Sequence, residues 1–192
     1  MAKTASTMLE LGTMAPDFTL PDSSGQTIGP RNSTDAPGHL VMFICNHCPF
    51  VHHIRAELAR SMKRYQDMGL AVVAINSNDA VAYPADSPEL MAREVEEFGY
   101  TFPYLVDGDQ SVAKAYRAAC TPDFYLFDGD RRLVYRGQFD GSRPGNDVPV
   151  TGADLGAAVE ALLGGAPIST DQHPSIGCNI KWTVGKEPDY FG

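Results

Sequence analysis

Cys45 and Cys48 stand at C-x-x-C spacing in "FICNHCPFVHH", with His47 between them and His52 and His53 close behind. Two thiols so spaced can cycle between dithiol and disulfide, one sulfur attacking a substrate disulfide and the other resolving the mixed disulfide. The spacing predicts that Cys45 opens a helix, where unsatisfied N–H groups and a partial positive charge lower a Cys pKa from about 8.5 to roughly 3.5–7.5. Cys45 is then the nucleophile, and Cys48, one turn in and less exposed, the resolving thiol. His47 adds a positive charge or a donor that tunes the thiolate. A more stable thiolate favours the reduced form, so the site is expected to be less reducing than one with an apolar dipeptide. Pro49 fits the first helical turn, where its missing N–H costs little.

Other chemistry competes for these residues. Cys45, Cys48 and His52 could reach one metal ion, with Cys178 or His173 as a fourth ligand, but the second pair lacks a recognised spacing. A c-type haem is excluded because Pro49, not His, follows the motif. Simple packing of two small residues is the blandest reading. His52 and His53 individually read as surface histidines. The dithiol reading calls for no cofactor and no metal. Elsewhere, Thr121-Pro122 immediately precedes the apolar run "DFYLF". A proline there belongs at a strand's first residue and is a candidate for the cis form. Cys120, beside it, is either a space-filling thiol or an additional redox group. Cys178 lies in "HPSIGCNIKW" and is either a relay thiol or a structural one. Ile176, Ile180 and Trp182 argue that this tail docks, because burying each large side chain is worth roughly 1.5–3 kcal/mol. It docks on its own domain or on a neighbouring subunit.

The elements that must position these residues alternate. "LVMFI" (40–44) is a short apolar run of the kind a doubly covered strand shows. Val51, Ile54, Leu58, Met62 and Tyr65 then recur at steps of three and four until Gly69. "LAVVAIN" (70–76) reads as a second buried strand. A helix follows, with Ser87 as N-cap, Pro88 first and Gly99 at its end. "FPYLVD" (102–107) is a short strand and "QSVAKAYRAA" a short helix capped by Asp109. "FYLF", a "DGD" turn and "RLVYRGQF" form a hairpin. "GADLGAAVEALL" is a last helix with a Thr151/Asp154 capping box. Residues 166–192 have no clear period. The order predicts an α/β fold, a central mixed sheet flanked by helices, with the active site at the carboxyl end of "LVMFI".

At 192 residues, 43% hydrophobic and 20% charged, the chain has the composition of a globular protein of about one domain. We divide it into a domain at 1–165 and a C-terminal tail at 166–192. A net charge of −9 with no basic block argues against nucleic acid as a partner. No run approaches about 18 apolar residues, so no membrane span is expected, and the first residues lack a secretory pattern. A cytoplasmic setting is the expectation. Four cysteines are too few for a disulfide scaffold, which favours catalytic or metal chemistry for them.

Three stretches together resemble the thioredoxin-like superfamily and, within it, the redoxin and peroxiredoxin-like (AhpC/TSA-type) branch: "APDFTLPDSSG" (15–25), "CNHCP" and "TPDFYLFD". The first looks like the N-terminal hairpin of that branch, the second like its active-site segment, the third like its cis-proline strand. The resemblance implies that Thr121 and cis-Pro122 lie beside Cys45 and present the backbone edge on which an extended substrate pairs. It also implies that Pro122 keeps metal ions away from the thiols. Peroxiredoxins carry T-x-x-C-P, which would put Cys48 at the peroxide-reacting position with Cys45 in place of the Thr; Arg117, Arg136 or Arg143 would supply the positive charge. The expected function is therefore thiol–disulfide exchange, with thiol peroxidase and metal handling as alternatives. Its partners are a protein or small-molecule disulfide or thiol and an external reductant, with homo-oligomerisation left open.

Overall fold

The computed structural model describes residues 3–30 and 35–191. Its central sheet has five strands in the order β6-β5-β4-β8-β9. The apolar run at 40–44 becomes β4 (Gly38–Phe43), the middle strand, with all six residues buried. It pairs in parallel with β5 (Ala71–Asn76), which pairs in parallel with β6 (Tyr104–Val106). On its other side β4 pairs antiparallel with β8 (Asp123–Asp128), which forms a hairpin with β9 (Leu133–Gly137). β4 has no solvent face, because its alternate residues enter two cores. Leu40 and Met42 pack with Leu58, Met62, Tyr65, Leu126 and Val159, whereas Val41 and Phe43 pack with Ile75, Tyr116, Tyr125 and Phe127.

The helices follow their sequence signals closely. In α1 (Pro49–Asp67) the five apolar residues at three- and four-residue steps are all buried. Ser87 caps α2 (Pro88–Phe98) by accepting from Leu90 N–H, and Gly99 ends it at φ 63°. The expected N-terminal hairpin is β2 (Leu20–Pro21) with β3 (Thr27–Ile28).

Two caps differ from expectation, for one reason. Gln110, in the left-handed region, is the N-cap of α3 (Ser111–Ala115), and Asp109 accepts from Ser111, at its N–H and its side chain. The buried Asp107 accepts from Val112 N–H at 3.2 Å, Ala113 N–H at 2.9 Å and the Ser77 hydroxyl at 2.7 Å. At α4 (Ala153–Leu163) the Thr151/Asp154 box does not form. Asp140 accepts from Thr151 N–H and Gly152 N–H instead, and Asp154 accepts from Gln138. In both places a carboxylate from a preceding segment reaches the helix start. Asp107→Ala should therefore cost about 1–3 kcal/mol of stability by urea denaturation, while Asp109→Ala should cost a few tenths.

The tail supplies an element that no periodicity announced. Residues Ile176–Asn179 form β10, the middle strand of a second, antiparallel sheet between β1 (Lys3–Ala5) and β7 (Cys120–Thr121). Ile180 and Trp182 are buried beyond it. Gln110 Nε2 donates to the Ser77 and Lys181 carbonyls, and Lys181 N–H donates to Asn78 Oδ1 at 2.8 Å. The tail docks on the chain's own sheet ends. Among the described residues no helix is long and apolar enough to cross a membrane.

Candidate active site

Three elements meet at the carboxyl end of β4: the loop 44–48, the start of α1, and β7 with its cis Thr121–Pro122 bond. The helix begins at Pro49, so its N-cap is Cys48. This corrects the expectation that Cys45 opens the helix; Cys45 lies a full turn ahead of it. Exposure does not separate the pair either, since Cys45 is 1% and Cys48 0% exposed. Among the described residues no disulfide joins the four cysteines.

Thr121 holds both sulfurs. Its Oγ1 lies 3.3 Å from Cys45 Sγ, and its carbonyl accepts from protonated Cys48 Sγ at 3.1 Å. Cys48 is also the acceptor for two other thiols. Hydrogen bonding with Cys178, then with Cys45, lowers its pKa against the opposing effect of burial, and the Thr121 side chain adds to this. Cys45 is pushed well up, first because it donates to Cys48, then by burial and the Asp86 charge. Cys178 is raised for the same leading reason, donation to Cys48. The three thiols thus form one hydrogen-bonded cluster in which Cys48 is shifted down and Cys45 and Cys178 up, while protonated Cys48 is held against the Thr121 carbonyl.

His47 does not donate to either sulfur of the motif. Its Nδ1 lies 2.6 Å from Asp86 Oδ2, and its ring stacks on Tyr83 at 5.6 Å. Sequence reasoning missed Asp86. This buried carboxylate also accepts from Asn46 N–H at 2.8 Å and from Asn78 Nδ2 at 2.8 Å, fixing the C-x-x-C loop from the turn before α2. No local spacing marks it. His52 Nε2 bonds the Asn46 carbonyl and His53 bonds Ser142, so the set Cys45, Cys48 and His52 is not brought together for a metal. The potential ligand atoms that do fall within 4.8 Å of one another belong to Cys45, His47 and Asp86. His173 sits by Gly137 and Gln138, where its carbonyl accepts from Gln138 N–H.

Cys120 lies apart from the sulfur cluster's bonding. Its thiol faces the Pro122 and Ser175 carbonyls at 3.8 and 4.0 Å, and burial pushes its pKa well up. Its neighbour Asp123 is fully buried, held by Tyr125 Oη at 2.9 Å and its own strand's Phe124 N–H. Burial lifts that carboxyl to about 8. The folded protein therefore keeps a proton that the unfolded chain loses above about pH 4. Stability from this group is fully present below that pH and is lost as pH rises through about 8. In urea titrations across pH 4 to 8, wild type should lose about 1.4 kcal/mol per unit relative to Asp123→Asn; parallel curves would refute the buried neutral carboxyl.

Arg117 faces Asp189 and the Tyr190 ring, Arg136 the Leu9 carbonyl and Gln172, and Arg143 the 138–142 segment. Each candidate arginine is thus engaged away from Cys48. Cavities of about 600 and 340 Å³ lie elsewhere, and no cysteine lines either.

The model of the AhpC/TSA family matches residues 11–136. A thiol-disulfide oxidoreductase ResA of Geobacillus thermodenitrificans is 30% identical over 132 residues, covering 68% of this chain and 70% of that protein. ResA of Halalkalibacterium halodurans is 26% identical over 124 residues, covering 64% and 65%, so the match spans about two thirds of these relatives' length. A crystal structure of a hypothetical protein from Sinorhizobium meliloti 1021 superimposes with TM-score 0.93 at 58% identity, covering 95% of this chain and all of that one. A putative thiol:disulfide interchange protein DsbE of Chlorobium tepidum, at 19% identity, shares the thioredoxin-like fold with TM-score 0.64 over 81% of this chain and 99% of that one. The family model covers well over half of the sequence, and the mixed sheet flanked by helices is shared with thioredoxin-like structures: the chain belongs to the AhpC/TSA family, in its thioredoxin-like redoxin branch.

Proposed function

We propose that the protein is a thiol–disulfide oxidoreductase whose working pair is Cys45 and Cys48. The names of the ResA relatives support this reading. The observation that carries it is that Thr121 holds both sulfurs of the C-x-x-C, at 3.3 and 3.1 Å, with Cys48 at the N-cap position of α1. On this reading Cys48, shifted down and at the start of α1, takes the nucleophile's role that spacing alone assigns to Cys45. Cys48 attacks one sulfur of a substrate disulfide, forming a mixed disulfide and releasing the other sulfur as a thiolate that takes a proton from solvent. Cys45 then loses its proton and attacks Cys48 Sγ. The second substrate sulfur leaves, the Cys45–Cys48 disulfide forms, and the substrate has gained the two electrons. An external thiol reductant restores the dithiol. Thr121, touching both sulfurs, positions them for this exchange, and His47 acts on the loop through Asp86. A reducing cytoplasm suits such a cycle.

The test is equilibration with glutathione buffers of graded potential, followed by acid quenching and alkylation. Wild type should pass through one two-electron transition and should catalyse the reduction of a small disulfide-bonded protein by dithiothreitol. Four thiols that stay reduced across the whole range would end this reading.

Thiol peroxidase is the second reading, favoured by the charge on the Cys of the C-P segment. The missing Thr hydroxyl at position 45 and the engagement of Arg117, Arg136 and Arg143 elsewhere weigh against it. Peroxide consumption lost in Cys48→Ser and retained in Cys45→Ser would promote it.

A further inference from the structure

We infer that β10 is a tethered substrate strand and that Cys178 is a third redox thiol, exchanging into a disulfide with Cys48; this rests on the dithiol reading above. The edge of β7 is where an extended substrate would pair. In the structure β10 fills it, antiparallel, with Cys178 opposite Thr121 and Asn179 opposite Cys120. The pairing continues as Ile180 N–H donates to the Ala119 carbonyl at 3.0 Å. Cys178 therefore stands where a substrate cysteine would stand, its thiol donating to Cys48 and 1% exposed. Gly177 makes the approach possible. A Cβ there would lie 1.9 Å from the Thr121 carbonyl oxygen and 3.2 Å from Pro122 N, so no larger residue lets the strand come this close.

The remaining thiol on β7 does not compete. Cys120 is next to Thr121 in sequence, yet its sulfur faces the Pro122 and Ser175 carbonyls. Cys48 is the sulfur that both Cys45 and Cys178 touch, and the exchange is isoelectronic. From the Cys45–Cys48 disulfide, Cys178 loses its proton and attacks Cys48 Sγ. The Cys48–Cys178 bond forms, the Cys45–Cys48 bond breaks, and Cys45 leaves as a thiolate that takes up the proton. No further oxidant is needed once the first disulfide exists. The oxidised protein is then a mixture of two disulfide isomers. An external substrate must displace a strand whose effective concentration, set by its tether, is high.

Disulfide mapping by mass after mild treatment with oxidised glutathione tests this. Cys45→Ser should lose two protons by closing Cys48–Cys178 and should carry no lasting glutathione on Cys48. The double variant Cys45→Ser/Cys120→Ser should behave identically. Glutathione accumulating on Cys48 of Cys45→Ser while Cys178 stays reduced would overturn the inference and leave the dithiol reading standing. Should that variant not fold, wild type decides. A Cys48–Cys178 peptide beside the Cys45–Cys48 peptide supports the inference, and Cys45–Cys48 alone overturns it. Absence of any disulfide in wild type sinks both readings.

Discussion

Cys48→Ser should lower thiol–disulfide exchange by about 1,000-fold or more, and it should remove the two-electron couple from the glutathione titration altogether. The size of the effect follows from geometry. Cys48 is the cap of α1 and the acceptor for both other thiols of the cluster. Replacing it removes the nucleophile and the one sulfur that either partner can join. Cys178→Ser, in contrast, leaves Cys45 and Cys48 in contact and should keep a couple. The substitution has a second, independent signature. Cys45 is held well up first by donating to Cys48, with burial and Asp86 behind, and with a Ser hydroxyl there, which can donate to the Cys45 sulfur, its titration should fall toward the ordinary thiol range. Alkylation rate against pH, compared between Cys48→Ser and wild type under mild denaturant, reads this directly. If Cys48→Ser retained the couple, through Cys45 and another thiol, the assignment of charge and roles would be wrong.

The parts of this centre that the sequence made legible are those set by local spacing. The central strand, the buried face of α1, the Ser87 and Gly99 caps of α2 and the cis Thr121–Pro122 bond all follow from a few consecutive residues. The helix start is legible in the same way: a proline at the first helical position makes Cys48, the residue before it, the cap. Three carboxylates were not legible. Asp86 and Asp140 satisfy backbone N–H groups 40 and 11 to 12 residues away, and such acceptors leave no local pattern; Asp107 reaches five and six residues ahead, beyond the two- or three-residue spacing of an ordinary N-cap. The same holds for β10. Four residues, "IGCN", have no alternation to detect, and the strand is defined by its pairing with β1 on one side and β7 on the other, both distant in sequence. It is specified by the tertiary structure, as short strands often are.

That dependence makes β10 the most easily perturbed part of the site. Gly177→Val should raise the alkylation rate of Cys45 and Cys48 about ten- to a hundredfold, because overpacking costs roughly 1–3 kcal/mol and each 1.4 kcal/mol shifts an opening equilibrium about tenfold. The added side chain has nowhere to go. Its Cβ meets backbone, the Thr121 carbonyl at 1.9 Å and its carbon at 2.6 Å, and backbone cannot swing aside as a side-chain tip can. The central sheet is not part of this contact, so far-UV circular dichroism and the urea midpoint of the main transition should change far less than thiol access. Gly177→Ala, with one methyl, should move in the same direction by a smaller factor. Displacing the strand carries Cys178 away from Cys48, so the yield of Cys48–Cys178 disulfide should fall as external disulfides gain entry. Turnover of a bulky protein disulfide should rise by more than that of oxidised glutathione, since an extended polypeptide needs the vacated edge of β7 and a small molecule needs only the sulfur. Unchanged alkylation in Gly177→Val would mean that the thiols are covered by something other than β10.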